Sequence, residues 1–262
     1  MNTFTALVLA GSRQGGDAFA AEAGATHKAL IEVGGVTMIE RVVRALEAVP
    51  EVDRIVIAMD RPQMLGGLPG LSQSSKPIVT FEPEAGPSAT SAAALERFGT
   101  PLLVTTADHA LLQTQWVEQF LAACPPGADL VAALAPRAAV EAAAPSTRRT
   151  WLRFSDGDYS ACNLFFLAQP AAARAVQLWQ ALESDRKQPL RMVRRLGWTT
   201  ALRYRLGWLS REAAASRLGR VAGKVRVALV ELSDGRAAID VDKMEDLVLV
   251  RQLAAGDPVA SD

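Results

Sequence analysis

From Phe4 to Ala10 the chain is almost wholly apolar and then stops at Gly11. That is the pattern of a strand buried on both faces that feeds a loop at its carboxyl end. Between Val36 and Ala48 the apolar positions Met38, Ile39, Val42, Val43 and Leu46 fall on one helical face. Asp53 to Met59 (DRIVIAM) and Lys76 to Phe81 read as further strands, Ser88 to Phe98 as a helix, and Pro101 to Thr106 as a fourth strand. A helix over Thr114 to Ala123, strands over Asp129 to Leu134 and 161–168, a helix over Ala171 to Leu182, a strand over Val225 to Leu232 and a closing helix over Met244 to Ala254 complete the pattern. The Ala/Pro-rich tract from Ala135 to Pro145 has weak periodicity and reads as surface loop with some helix. Strand, loop and helix in repeated alternation predict an α/β fold of three layers, α/β/α, around a mostly parallel central sheet.

Composition agrees with a folded, water-soluble domain. Half of the 262 residues are hydrophobic, enough for a sizeable core. No apolar stretch approaches the ~20 residues that span a bilayer, and the N-terminus lacks a signal-peptide pattern, so the expected location is the cytoplasm. The two cysteines, Cys124 and Cys162, have neither CxxC spacing nor neighbouring histidines, which argues against a disulfide framework or a zinc site. The net charge of zero conceals an asymmetry: between Arg186 and Arg226 lie twelve Lys or Arg and one acid, Glu212. That segment carries +11 and the remainder −11, which points to an anionic partner for it.

In open parallel sheets ligands bind beyond the carboxyl ends of the strands, so the residues just after each apolar run carry the candidate chemistry. The first run ends in Leu9-Ala10-Gly11-Ser12-Arg13-Gln14-Gly15-Gly16. Glycines there let backbone N–H groups approach phosphate, and Arg13 adds a charged fork. Neither G-x-G-x-x-G nor Walker A fits the spacing. Lys28 precedes a resumed apolar stretch and could serve phosphate as a point charge or be a solvated surface lysine. Asp108 follows the strand ending at Thr106, where a carboxylate can hold Mg²⁺ or cap a helix. His109 beside it suits a substrate or packing contact better than a metal. Asp240 and Asp242 alternate at strand spacing, so they point the same way and could supply further metal oxygens. Either could instead cap the last helix, with Glu245 three residues beyond Asp242.

Taken together, "LAGSRQGG", Lys28, "VGGVTMIERVV", "EAGPSATSAAAL" at 84–95, "TADHALL" and the terminal "DVDKMEDL" resemble, in order along nearly the whole chain, the MobA-like nucleotidyltransferase family. The resemblance implies a nucleotide-diphospho-sugar transferase-like Rossmann fold over one domain, 1–262, with a basic helical insertion at about 184–223. It implies transfer of a nucleoside monophosphate from an NTP, CTP or GTP, to a phosphorylated acceptor, with pyrophosphate released. The triphosphate would lie over residues 10–16, the base near Gly86, Pro87 and Ser88, and Mg²⁺ between Asp108 and Asp242 or Asp240. Arg13 and Lys28 would neutralise charge, and Asn163, with His109, would face the acceptor. Ser12 replaces the second glycine of the family's usual pair, the interval from Arg13 to Lys28 is long, and a proline after the metal aspartate is missing. Those departures point away from molybdenum-cofactor guanylylation itself; that activity, and a regulatory protein that has lost chemistry, stand as the alternatives. The small-residue detour from Gly15 to His27 is expected to be a mobile flap.

Leucines and Val193 recur at near-helical spacing through the basic segment, with arginines around Trp198, Tyr204 and Trp208, as in one or two amphipathic helices. A helical cap serving acceptor phosphates is the first reading. A peripheral surface for anionic lipid at the inner face of the membrane, with a lipid head-group phosphate as acceptor and a weak preference for cytidylyl transfer, is the second. Nucleic acid is not an expected partner, since no recognition module is present. Oligomeric state is not legible.

Overall fold

The protein is described by a computed structural model over residues 3–12, 18–145, 147–185 and 188–256. The first apolar run forms β1 (Phe4–Leu9), followed by α1 (Ala18–Glu22), the short strands β2 (Glu32–Val33) and β3 (Val36–Thr37), α2 (Met38–Glu47) and β4 (Val52–Ala58). Next come α3 (Pro69–Ser72), β5 (Ile78–Phe81), α4 (Pro87–Phe98), β6 (Leu102–Thr106), α5 (Thr114–Ala123), β7 (Leu130–Pro136) and α6 (Arg137–Ala143). The chain continues through β8 (Leu152–Phe154), β9 (Gly157–Leu167), α7 (Ala172–Ser184), α8 (Pro189–Leu196), α9 (Trp198–Arg205), α10 (Arg211–Val221), β10 (Val227–Glu231) and α11 (Met244–Gly256).

Eight strands make the central sheet in the order β10-β7-β9-β6-β1-β4-β5, with β8 paired to β9. β1 lies parallel between β4 and β6, and β5 and β10 pair in parallel with β4 and β7. Only β9 runs against the others, pairing antiparallel with β6, β7 and β8. The mostly parallel sheet and the fold class expected from the alternation are therefore present, with helices packed on both faces. Alternation within β1 shows why its sequence is apolar throughout: Ala6 and Val8 face the core built with α2, α5, α6 and α11, while Leu7 faces the core of α4 and α7. Burial on both faces removes the polar alternation that marks a one-sided strand.

Several elements were hidden from the hydrophobic pattern. Gly34 and Gly35, both at positive φ, close the two-residue β2–β3 turn, a backbone shape that favours glycine. Thr37 and Glu40 then start α2 with a reciprocal capping box. The Ala/Pro-rich tract is more ordered than expected: β7 runs to Pro136 and α6 follows, anchored by the fully buried Val140. The leucine-bearing stretch of the basic segment forms two short helices, α8 and α9, and α10 follows as a third. Part of the expected flap is also corrected. Residues 15–17 lie outside the described residues, but 18–27 contain α1 and bury Ala20 and His27, so this part is packed. Phe19, Ala23 and Ala25 pack against the core, and His27 belongs to the site described next.

Candidate active site

Three adjacent parallel strands, β4, β1 and β6, end side by side, so the loops that leave them converge. Backbone bonds extend the register past the strand ends, from Ala10 N–H to the Ala58 carbonyl and from Ala107 N–H to the Leu9 carbonyl, both 2.9 Å. The loop after β1 is fixed from the β4 side. Asp60 accepts from the Ser12 N–H at 2.9 Å and from the Ser12 hydroxyl at 2.8 Å. His27 Nδ1 accepts the Ala29 N–H at 3.1 Å, which assigns the ring proton to Nε2, 3.2 Å from Asp60 Oδ1. Partial burial pushes the Asp60 carboxyl up, but these donations outweigh it and hold the group well below its ordinary value of 3.8. Gly11 lies flat against Pro83, where an added Cβ would come within 3.3 Å of the proline Cβ. The loop that leads to Gly86 thus abuts the loop after β1.

Asp108 leaves β6 and meets the segment before α11 through the Val241 N–H, which donates to the Asp108 carbonyl at 3.1 Å. Residues 239–242 are not a strand, yet this bond sets the carboxylates of Asp240 and Asp242 on either side of Val241 beside Asp108. One oxygen from each of the three lies within 4.8 Å of the others. Asp240 is gripped by Arg149, which pairs with its carboxylate and donates to its carbonyl at 2.8 Å, and by Asn163 Nδ2 at 2.8 Å. Asn163 sits not at a strand end but within β9, at φ +47, beside a register shift between Ala132 and Leu134. The bulge re-aims its side chain at Asp240, and asparagine tolerates that backbone better than most residues. The Asp242 N–H is taken by Asp246 Oδ2 at 3.2 Å, so Asp246, not the exposed Glu245, finishes the turn into α11.

Lys28 reaches into this cluster, with Nζ 2.6 Å from Asp108 Oδ2 and 2.8 Å from Asp242 Oδ1. Burial opposes its charge, but Asp108 first and then Asp242 outweigh it and hold the ammonium above the ordinary 10.5. The solvated-surface reading of Lys28 is thereby replaced. Asp108 Oδ1 is buried without a hydrogen-bond partner among the described residues. Three carboxylates, no nitrogen or sulfur donor among them, and one buried oxygen left over form a set that fits a hard divalent cation such as Mg²⁺.

The remaining expected positions are distributed differently. His109 is 1% exposed and stacks on Trp116 at 6.2 Å; burial depresses its pKa to about 4. It is a packing residue here, and the acceptor-facing expectation is corrected. Asn163 touches Asp240, so in this state its amide positions a carboxylate. Ser88 is buried and donates its hydroxyl and N–H to Glu183 at the end of α7, a carboxylate placed at the N-terminus of α4, where the helix dipole favours negative charge. Gly86 lies against the same carboxylate, while Pro87 is exposed. Arg13 falls outside the described residues.

The family model for the MobA-like NTP transferase domain matches residues 6–221. The chain belongs to this family. As a MobA-like domain it is a nucleotidyltransferase. A solved structure described as a hypothetical transferase from Thermus thermophilus is 31% identical over 94% of this chain and 100% of its own, with a TM-score of 0.80. The 4-diphosphocytidyl-2C-methyl-D-erythritol synthase of Anaerococcus prevotii is 11% identical, covering 96% of this chain and 95% of that one, with a TM-score of 0.61. A CMP:2-keto-3-deoxy-manno-octonic acid synthetase complexed with CTP is 14% identical over 97% and 99%, with a TM-score of 0.58. At such identities these two share the fold. No curated protein matches the chain in sequence.

Proposed function

We propose that this MobA-like domain transfers a nucleoside monophosphate from an NTP to a phosphorylated acceptor in a Mg²⁺-dependent reaction that releases pyrophosphate. The observation that carries the proposal is the convergence of Asp108, Asp240, Asp242 and Lys28 beside the glycine-containing loop after β1, with Asp108 Oδ1 left unpartnered. Asp108 and Asp242, backed by Asp240, would hold Mg²⁺, which when bound supplies charge neutralisation to the phosphate oxygens and the departing pyrophosphate. Lys28 lies against the Asp108 and Asp242 carboxylates that would hold the cation, and with the cation there its ammonium would be available to the phosphates. The loop at residues 10–12 would lie against the triphosphate, its path fixed by the bonds of the Ala10 N–H to Ala58 and of the Ser12 N–H to Asp60. Arg13 is proposed as a second phosphate contact on sequence resemblance alone.

An oxygen of the acceptor phosphate attacks the α-phosphorus, the bond from that phosphorus to the bridging oxygen breaks, and the electron pair leaves with pyrophosphate. No side chain becomes covalently attached. The chain's contribution is positioning and preorganised charge. Residues 86–88 would lie at the base, with Glu183 reorganising from Ser88 to admit it. CTP is the nucleotide to try first, because the two distant fold neighbours are named for cytidylyl products; the acceptor is an alcohol phosphate. Pyrophosphate release from CTP or GTP with a panel of sugar, polyol and head-group phosphates tests the reading. The Asp108→Ala variant is expected to lose turnover while keeping its circular dichroism. Wild-type-like turnover in that variant would remove Asp108 from the site.

A further inference from the structure

Seven large hydrophobic side chains are exposed among the described residues, and six of them fall between 190 and 208: Leu190, Trp198, Leu202, Tyr204, Leu206 and Trp208. The two tryptophans are 66% and 65% exposed and Leu190 is 72% exposed. The same nineteen positions hold five arginines and no acid. Soluble surfaces scatter exposed apolar residues singly; this concentration marks a surface that meets something.

The platform that carries them is anchored. Tyr204 accepts the Arg153 N–H at 3.2 Å and packs edge-on to Phe154, with centroids 6.2 Å apart. Leu209 is buried, Arg195 pairs with the buried Asp185 at 2.6 Å, and Arg217 of α10 donates to the Leu196 carbonyl at 2.7 Å. The tips of α8 and α9 therefore project from a held base, and their exposure is not a matter of loose chain.

We propose that the α8–α9 face, through Trp208, is a docking surface for an anionic lipid bilayer. Tryptophans and leucines interleaved with arginines on short helices are the composition of interfacial helices, in which rings and aliphatic tips enter the head-group boundary while guanidinium groups meet lipid phosphates. Two other occupants fit less well. A second copy meeting this face by two-fold symmetry would set five arginines against five. A nucleic acid would use the arginines and the rings but leave Leu190, Leu202 and Leu206 without a role. No described helix is long and apolar enough to cross a membrane, so the contact is with the surface. The proposal is independent of the nucleotide chemistry, since docking needs no NTP.

The test is co-sedimentation of the full chain with vesicles of phosphatidylcholine alone and with about 30% phosphatidylglycerol. Binding is expected only to the anionic vesicles and is expected to weaken about tenfold or more in about 0.5 M salt. The Trp198→Ser/Trp208→Ser and Arg194→Glu/Arg205→Glu double variants are each expected to lose at least about tenfold in vesicle affinity, with unfolding midpoints unchanged. Failure to bind anionic vesicles, equal binding to neutral ones, or undiminished binding by both variants would overturn the proposal. So would a wild-type dimer that becomes monomeric in the tryptophan variant, or tighter binding of a single-stranded oligonucleotide than of vesicles at equal salt.

Discussion

Replacing Lys28 by methionine removes the ammonium between Asp108 and Asp242 and keeps most of the stem's volume. At 2.6 and 2.8 Å each contact has a gross Coulomb energy of roughly 6 kcal/mol at an effective dielectric of about 20. Desolvation of the lysine offsets much of this. Asp242 is 59% exposed, so its share is largely screened, whereas Asp108 at 17% retains more. The net loss is about 2 kcal/mol, which in a chain of this size is about 4–8 °C in Tm. The assay is thermal unfolding of wild type and Lys28→Met in EDTA and again in millimolar Mg²⁺. The variant is expected to melt lower in EDTA. It is also expected to gain more from Mg²⁺ than wild type does, because the added ion then no longer competes with an ammonium for Asp108 and Asp242. An unchanged Tm in EDTA, or a magnesium response no larger than that of wild type, would refute the claim that Lys28 and a divalent cation share these oxygens.

Gly235 lies so close to α6 that an added Cβ would sit 2.2 Å from the Ala139 carbonyl oxygen; Gly235→Ala is expected to cost about 3 kcal/mol or more and to shift the Asp240–Asp242 segment, read by chemical denaturation together with nucleotide affinity. Asp60→Asn should loosen the hold on Ser12 and weaken triphosphate binding several-fold in calorimetric titration. Because the folded-state pKa of Asp60 is depressed, its stabilisation is present above 3.8 and is lost as pH falls below that value, so wild type should lose more stability there than Asp60→Asn in denaturation curves at graded acid pH.

Much of the fold was legible because most strands are buried on both faces and read as bare apolar runs. The antiparallel β9 was legible only in its apolar half, since its first residues, Gly157 to Ser160, carry the polar character of a hairpin. Asp108, Asp242 and Lys28 could be read because each lies where chain order and the strand-end rule direct attention. Asp60 follows the strand DRIVIAM in the same way, and the same rule, applied to that strand end, points to it. Arg149 could not be found: it lies outside any periodic element, and its partner Asp240 is 91 residues away in sequence. His109 shows the opposite failure. Its neighbour Asp108 made it look functional, whereas the turn after β6 sends its ring inward onto Trp116.

The central claim is that Asp108, Asp240 and Asp242 receive a Mg²⁺-bound NTP above the loop after β1. Its most direct test is thermal stabilisation of the protein by CTP, GTP, ATP and UTP, each with Mg²⁺ and with EDTA, in wild type and in Asp108→Ala. The account expects one or two of the nucleotides to raise the wild-type Tm by several degrees with Mg²⁺ and much less with EDTA, and Asp108→Ala to lose that difference. Stabilisation by no nucleotide, or a magnesium-dependent rise that survives in Asp108→Ala, would contradict it.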